Sequence, residues 1–321
     1  MYMETVVCVK ELCRTYSSVG SRKTVNALKG ISFEIKRGEI FGLLGPNGAG
    51  KTTTIKILTT LLAPTSGQSK VLGFDTFGEE KKIRPHINFI FGGESGVYRR
   101  LTGRENLNYF ANLYNLDKDT RLERREELLR FVGLSEYADK KVETYSKGMI
   151  QRLQIARGLI NEPDILFLDE PTIGLDPVGA RELRSLIKKL SEQDKTILLT
   201  THYMQEADEL CDRIAVINHG NLIALDTPEK LKAESGLTTI IEVVLDEIRS
   251  ETLELIKKIA HIKTADVEKY GERQTLRIHC SYQQNVTEEV LELLKQHHIV
   301  SFVERDMTLE DVYVKLVGGN I

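Results

Sequence analysis

Apolar positions along this chain fall into two rhythms, and their alternation lays out the fold. Short apolar runs bounded by turn residues read as strands: Val6-Val7-Cys8-Val9, Ile31 to Ile35, Ile40 to Leu44, Ile87 to Phe91, and Thr196 to Thr201. Ile165-Leu166-Phe167-Leu168 is apolar throughout before it meets Asp169 and Glu170, as in the central strand of a parallel sheet. Arg213 to Ile217 and Leu222 to Leu225, joined by Asn218-His219-Gly220-Asn221, form a closing hairpin, and Thr227-Pro228-Glu229 caps a short helix ending at Gly236. Between Leu101 and Leu134 the period becomes helical. Leu107, Phe110 and Leu113 are expected on one face, followed by Leu122, Leu128, Leu129 and Val132 among charges. This is a helical insertion, about residues 95–160, within an α/β core. Its Arg/Glu-rich part, Arg121 to Arg130, reads as a solvated face.

From Thr238 the order is strand (Ile240 to Leu245), helix (Glu251 to Ala260), strand (Thr264 to Lys269), strand (Thr275 to His279), helix (Thr287 to His297) and strand (Ile299 to Glu304). That order is the one of a small α+β ferredoxin-like domain. Two domains are therefore expected, residues 1–236 and 237–321. The second carries neither paired carboxylates nor a His cluster, so it is expected to dimerise or regulate without chemistry of its own.

The densest chemical signal is Gly45-Pro46-Asn47-Gly48-Ala49-Gly50-Lys51-Thr52-Thr53, set between the strand Ile40 to Leu44 and a helical stretch. Strand, glycine turn, helix is the layout of a phosphate cradle. Glycines adopt backbone angles that side chains forbid, so successive N–H groups can converge on phosphate oxygens, and the helix start adds partial positive charge. Lys51 can reach the β- and γ-phosphates, and the Thr52 hydroxyl can bind Mg²⁺. Asp169 and Glu170 stand at the carboxyl end of their strand, where ligands of such sheets bind. Asp169 is placed to hold Mg²⁺, and Glu170 to polarise a water for attack on the γ-phosphate. His202 ends the next strand level with the cradle, where an imidazole N–H could hold that phosphate. Ser146 is a good N-cap for the helix that Tyr145-Ser146-Lys147-Gly148-Met149 opens; the same helix start could present its hydroxyl and a glycine N–H to an anion. Asp176 caps a further helix, with Pro177 in its first turn. Tyr16 could stack on adenine, although a lone Tyr at a strand end is more often simple packing.

Composition narrows the field. The chain has 321 residues, 41% hydrophobic, and a net charge of −3, which gives no basic footprint of a nucleic-acid binder. Cys8, Cys13, Cys211 and Cys280 are scattered, which argues against a zinc site or a disulfide framework. The N-terminal stretch lacks the pattern of a signal peptide, and no apolar run approaches the ~20 residues that span a bilayer. Work at a membrane would need a partner's helices.

These motifs, in this order, resemble the ATP-binding cassette (ABC) ATPases from about Val6 to Gly236. The resemblance implies a P-loop NTPase fold, with a RecA-like core, an antiparallel β subdomain and a helical insertion. Gly45 to Thr52 matches the Walker A motif, Ile165 to Glu170 Walker B, Tyr145 to Met149 the family signature, Gly174 to Asp176 the D-loop, and His202 the switch histidine. Tyr16 sits where the family's adenine-stacking aromatic lies. In this family two such domains pack head to tail, so Ser146 would serve the partner's nucleotide. Two departures stand out. The family's Gln after the strand Ile87 to Phe91 is missing, since no Gln occurs between Gln68 and Gln151; Glu94 is the candidate substitute as a metal ligand. Lys147 and Met149 replace the signature's usual Gly and Gln. That variant, with Thr201 to Ala207 and Leu225-Asp226-Thr227-Pro228, resembles the branch serving type-2 ABC exporters of drugs, antibiotics and lipids. The implied function is hydrolysis of ATP with Mg²⁺ by a homodimer on the cytoplasmic face of the membrane, beside separate permease subunits and without nucleic acid. The rival is a soluble ABC ATPase acting on a partner such as the ribosome.

Overall fold

Five parallel strands in step form the core of the main sheet. In this computed structural model, which describes residues 4–17, 24–92, 96–234, 239–271, 273–280 and 286–318, the order across the main sheet is Asn221–Asp226, Arg213–Asn218, Ile40–Leu44, Thr196–Thr201, Ile165–Asp169 and Ile87–Phe91. All neighbours run parallel except the terminal hairpin. Leu44 stands opposite Thr201, Asp169 opposite Thr200, and Phe91 opposite Asp169. The loops that follow these strands therefore leave from one edge at one level.

A second, antiparallel sheet runs Thr24–Lys36, Thr5–Ser17, Ser66–Val71, Phe74–Asp75. Its first two strands extend well beyond the apolar runs that announced them, because their outer ends are solvent-facing and carry polar residues. The pairing continues to Ser17 opposite Thr24. One hydrophobic cluster joins the sheets: Val7, Leu12, Ile31 and Ile35 from the antiparallel one, Phe41, Leu43, Phe167 and Leu198 from the parallel one, and Ile55, Ile57 and Leu58 from helix Lys51–Leu58. Each such side chain contributes about 1.5–3 kcal/mol through burial. The helix is thus fixed with its first turn at the open edge of the parallel sheet.

The insertion contains helices Gly103–Leu113, Lys118–Phe131 and Lys147–Gly158. The buried stripe of the first is Asn106, Leu107 and Ala111, whereas Leu113 is 58% and Leu122 38% exposed, so the expected apolar face is corrected by part of a turn. The reason is Asn106. Its buried amide accepts from the Tyr98 N–H and donates to the carbonyls of Tyr98 and Thr102, which makes a polar residue the inward anchor.

The chain divides into units of residues 1–226 and 227–321. The boundary falls before the expected 236/237 because the short helix Pro228–Glu234 packs against the closing helix Leu309–Gly318. In the second unit the strand order is Ile262–Tyr270, Arg273–Cys280, Thr239–Leu245, Ile299–Asp306, antiparallel throughout. With helices Ser250–Ile256 and Val286–Leu294 packed on the side of Ile241, Val243 and Leu276, this is the ferredoxin-like arrangement.

The closing helix is pinned by one carboxylate. Asp311 receives two Arg305 hydrogen bonds, 2.7 and 3.1 Å, and accepts from the Thr308 amide at 2.9 Å. In return the Thr308 hydroxyl accepts from the Asp311 amide, which completes a reciprocal cap. Burial pushes this carboxyl up, but Arg305 and Thr308 outweigh burial and hold it at about 2, against an ordinary 3.8. Because the folded value is depressed, the stabilisation is complete above about pH 4 and is lost as pH falls through about 2. Asp311→Asn is expected to weaken protection of the closing helix by about 1–3 kcal/mol at neutral pH. Amide hydrogen exchange, corrected for intrinsic rates, should show that difference vanishing towards pH 2.

Candidate functional site

The turn Gly45 to Gly50 is shaped by close approach. A Cβ on Gly45 would lie 2.1 Å from the Ile217 carbonyl oxygen. Gly50 has φ +113°, and a Cβ there would stand 2.7 Å from the Ala27 carbonyl. Only glycine fits both places. Helix Lys51–Leu58 then starts without a side-chain cap, so its first-turn N–H groups are free to bind an anion.

Charged and hydroxyl groups converge at this helix start. Lys51 is 4% exposed; its Nζ donates to the carbonyls of Gly45 (2.7 Å) and Pro46 (3.3 Å) and lies 3.2 Å from Glu170 Oε1. The same Oε1 lies 3.2 Å from His202 Nδ1. The Thr52 hydroxyl donates to both oxygens of Asp169, at 3.2 and 3.0 Å. Thr200 ties the two acids together. Its Oγ1 donates to Asp169 at 2.6 Å and accepts the Glu170 amide at 3.0 Å. Glu170 holds φ +50°, a left-handed backbone that costs a non-glycine residue about 1–3 kcal/mol and persists only where surroundings enforce it. A lysine, two carboxylates, two hydroxyls and an imidazole thus meet at the level set by the strand register.

Beside them lies a groove of about 270 Å³, lined by Tyr16, Val25, Ala27, Pro46, Asn47, Gly48, Gly50, Lys51, Thr52, Thr53 and Glu170. Tyr16 forms one wall, with its hydroxyl 3.4 Å from Thr53 Oγ1 and the Arg14 guanidinium 4.9 Å from its ring centre. Ala49 belongs to the hydrophobic core instead, so it and Gly45 shape the turn without lining the groove. Val25, Ala27 and Thr200 were missed from sequence, as was Gly92, whose Cβ would stand 2.4 Å from the Glu170 carbonyl oxygen. The available signal was slight: a strand read as longer than its apolar run, and a second Thr at a strand end.

Three expected residues stand elsewhere. Ser146 caps helix Lys147–Gly158 by accepting from the Met149 N–H at 3.2 Å. Gly148 faces Gly179, in the first turn of helix Pro177–Ser191. Asp176 caps that helix through the amides of Val178 (3.0 Å) and Gly179 (2.9 Å), and the Gly179 bond holds its carboxyl below the usual range. None of the three lines the groove. Glu94 lies outside the described residues. Among the described residues no group of three or more His, Cys, Asp or Glu could enclose a metal. Thr52 and Asp169 do fit a Mg²⁺ ion that takes its other oxygens from phosphate and water. No helix among the described residues is long and apolar enough to cross a membrane.

Known proteins resemble this chain in sequence and in fold. The ABC transporter family model matches residues 28–173. The linearmycin resistance ATP-binding protein LnrL of Bacillus subtilis is 36% identical over 302 residues, which covers 94% of this chain and 96% of that protein. The daunorubicin resistance ATP-binding protein DrrA3 of Streptomyces coeruleorubidus is 37% identical over 296 residues, 92% of each chain. Among solved structures, the dimeric post-hydrolysis state of the ATP-binding cassette MJ0796 with ADP and Pi superposes with a TM-score of 0.62 at 30% identity, covering 69% of this chain and 98% of that one. Lys51, Thr52, Asp169, Glu170 and His202 thus come together in a chain that belongs to the ABC transporter family as an ATP-binding, ATP-hydrolysing subunit.

Proposed function

We propose that two copies of this chain enclose MgATP head to tail, and that hydrolysis powers permease subunits of an exporter at the cytoplasmic face of a membrane. One observation carries the reading. The helix start at Ser146 and Gly148 stands apart from the groove that Lys51, Thr52 and Glu170 line, which supports a reading in which the helix start of a second copy closes that groove. The solved cassette MJ0796, dimeric with ADP and Pi, supports such pairing. The relatives named for linearmycin and daunorubicin resistance support a drug or antibiotic as cargo.

Within the pocket each residue has a separate task. Tyr16 stacks on the base, and Lys51 with the first-turn amides neutralises the β- and γ-phosphates. Thr52 and Asp169 would hold Mg²⁺, which would compensate the charge of those phosphates. Glu170 accepts a proton from the attacking water. His202 Nδ1 is within 3.2 Å of Glu170, which sets the imidazole where its other nitrogen can face the γ-phosphate. Ser146 and Gly148 of the second copy close the site from the opposite side.

Glu170→Gln is expected to bind ATP normally yet hydrolyse it at least about a hundredfold more slowly, the contribution of a positioned general base. Single-turnover hydrolysis beside equilibrium ATP binding measures both, and near-normal turnover would remove Glu170 from that role. Ser146→Ala and Lys51→Ala should each be strongly impaired alone, yet regain hydrolysis when mixed, because a mixed dimer builds one site from the intact cradle of the first and the intact Ser146 of the second. If the mixture gained nothing over the separate variants, the shared pocket would be excluded. Purification from detergent-solubilised membranes should bring down a permease; recovery of the chain with ribosomes instead would contradict the exporter.

A further inference from the structure

One buried acid close to the reacting groups has no task in that mechanism. Glu206 lies in helix Met204–Leu210, four residues beyond His202, and is 2% exposed. Neither of its carboxyl oxygens completes a hydrogen bond of normal geometry. The polar side chains acting on it are the hydroxyls of Thr201 and Thr172, with Arg184 and His202 beyond them. Arg184 is already engaged by Glu209 at 2.8 Å, so it is no dedicated counter-ion. Burial pushes Glu206 up from its ordinary range, so the charged form is disfavoured there. The two threonine hydroxyls are the polar groups best placed to hold the carboxyl.

Its two hydroxyl neighbours belong to the two segments that carry the chemistry. Thr201 directly precedes His202, and Thr172 is two residues past Glu170. Both threonines are buried. The Thr201 oxygen accepts from the Tyr203 N–H at 2.9 Å, which leaves its own proton to give. We propose that Glu206 is a positioning residue that braces Thr201 against Thr172 and so sets the separation of Glu170 from His202. This rests on the roles given above to Glu170 and His202. The left-handed backbone at Glu170 supplies the need, because a strained residue keeps its place only while neighbouring segments hold it.

The full-length chain tests the brace through Glu206→Gln and Glu206→Ala. Glutamine keeps the shape and a polar end within reach of both hydroxyls and should retain kcat within about twofold, whereas alanine should lower kcat about tenfold by loosening the geometry. KM, ATP affinity and the stabilisation of melting by ATP should stay at wild-type values in both. A kcat loss confined to the alanine variant is the mark of positioning, and rescue by glutamine is its signature. Wild-type kcat in Glu206→Ala, or an equal loss in both variants, would overturn the proposal. Should Glu206→Ala fail to fold, Thr172→Val serves instead. Its kcat should fall in the wild-type background, and an unchanged value would overturn the brace equally. Glu170→Gln assayed in parallel separates the two failures: normal turnover there removes the base itself, while loss there beside a silent Glu206→Ala removes only the brace.

Discussion

The register of the parallel strands is the constraint on which the site rests. Leu44 meets Thr201, and Thr200 meets Asp169, because Ile40–Leu44, Thr196–Thr201 and Ile165–Asp169 are buried on both sides and cannot slide. A slip of one residue would move every side chain to the opposite face of the sheet. It would also move Asp169 away from Thr52 and His202 away from Glu170. The polar groups are few, and their alignment is enforced by apolar residues that never touch a ligand.

That alignment brings opposite charges into a sheltered place. Lys51 is almost wholly buried, and its ammonium is met by two carbonyls and by Glu170. A buried charge without such partners would be costly. The same arrangement explains the suitability for a polyphosphate, since a cation and uncapped amides already face one spot. Sheltering strengthens each of these electrostatic interactions relative to water.

Contiguous chemistry was legible in the sequence. Gly45 to Thr53 is a single stretch whose residue types announce a phosphate, and Asp169-Glu170 follow an apolar strand that could lie only in a sheet centre. The ferredoxin-like order of the second unit was legible too, because its strands and helices alternate with clear periods. What escaped depends on neighbours distant in sequence. Val25 and Ala27 line the groove only because the first hairpin runs past its apolar core. Gly92 is required by a carbonyl of another strand's exit, and Asn106 replaces an apolar residue because a loop amide needs an acceptor. The boundary after Asp226 reflects packing between two helices far apart along the chain. Local periodicity contains none of these contacts.

Thr200 ends as a hub with an evolutionary consequence. A single hydroxyl gives its hydrogen to Asp169 and receives one from the backbone of Glu170, on a β-branched side chain with little torsional freedom. Any drift that reorients this rotor disturbs both acids at once. Selection acting here has one handle where two would be needed, so whatever tasks the two carboxylates perform are bound to change together.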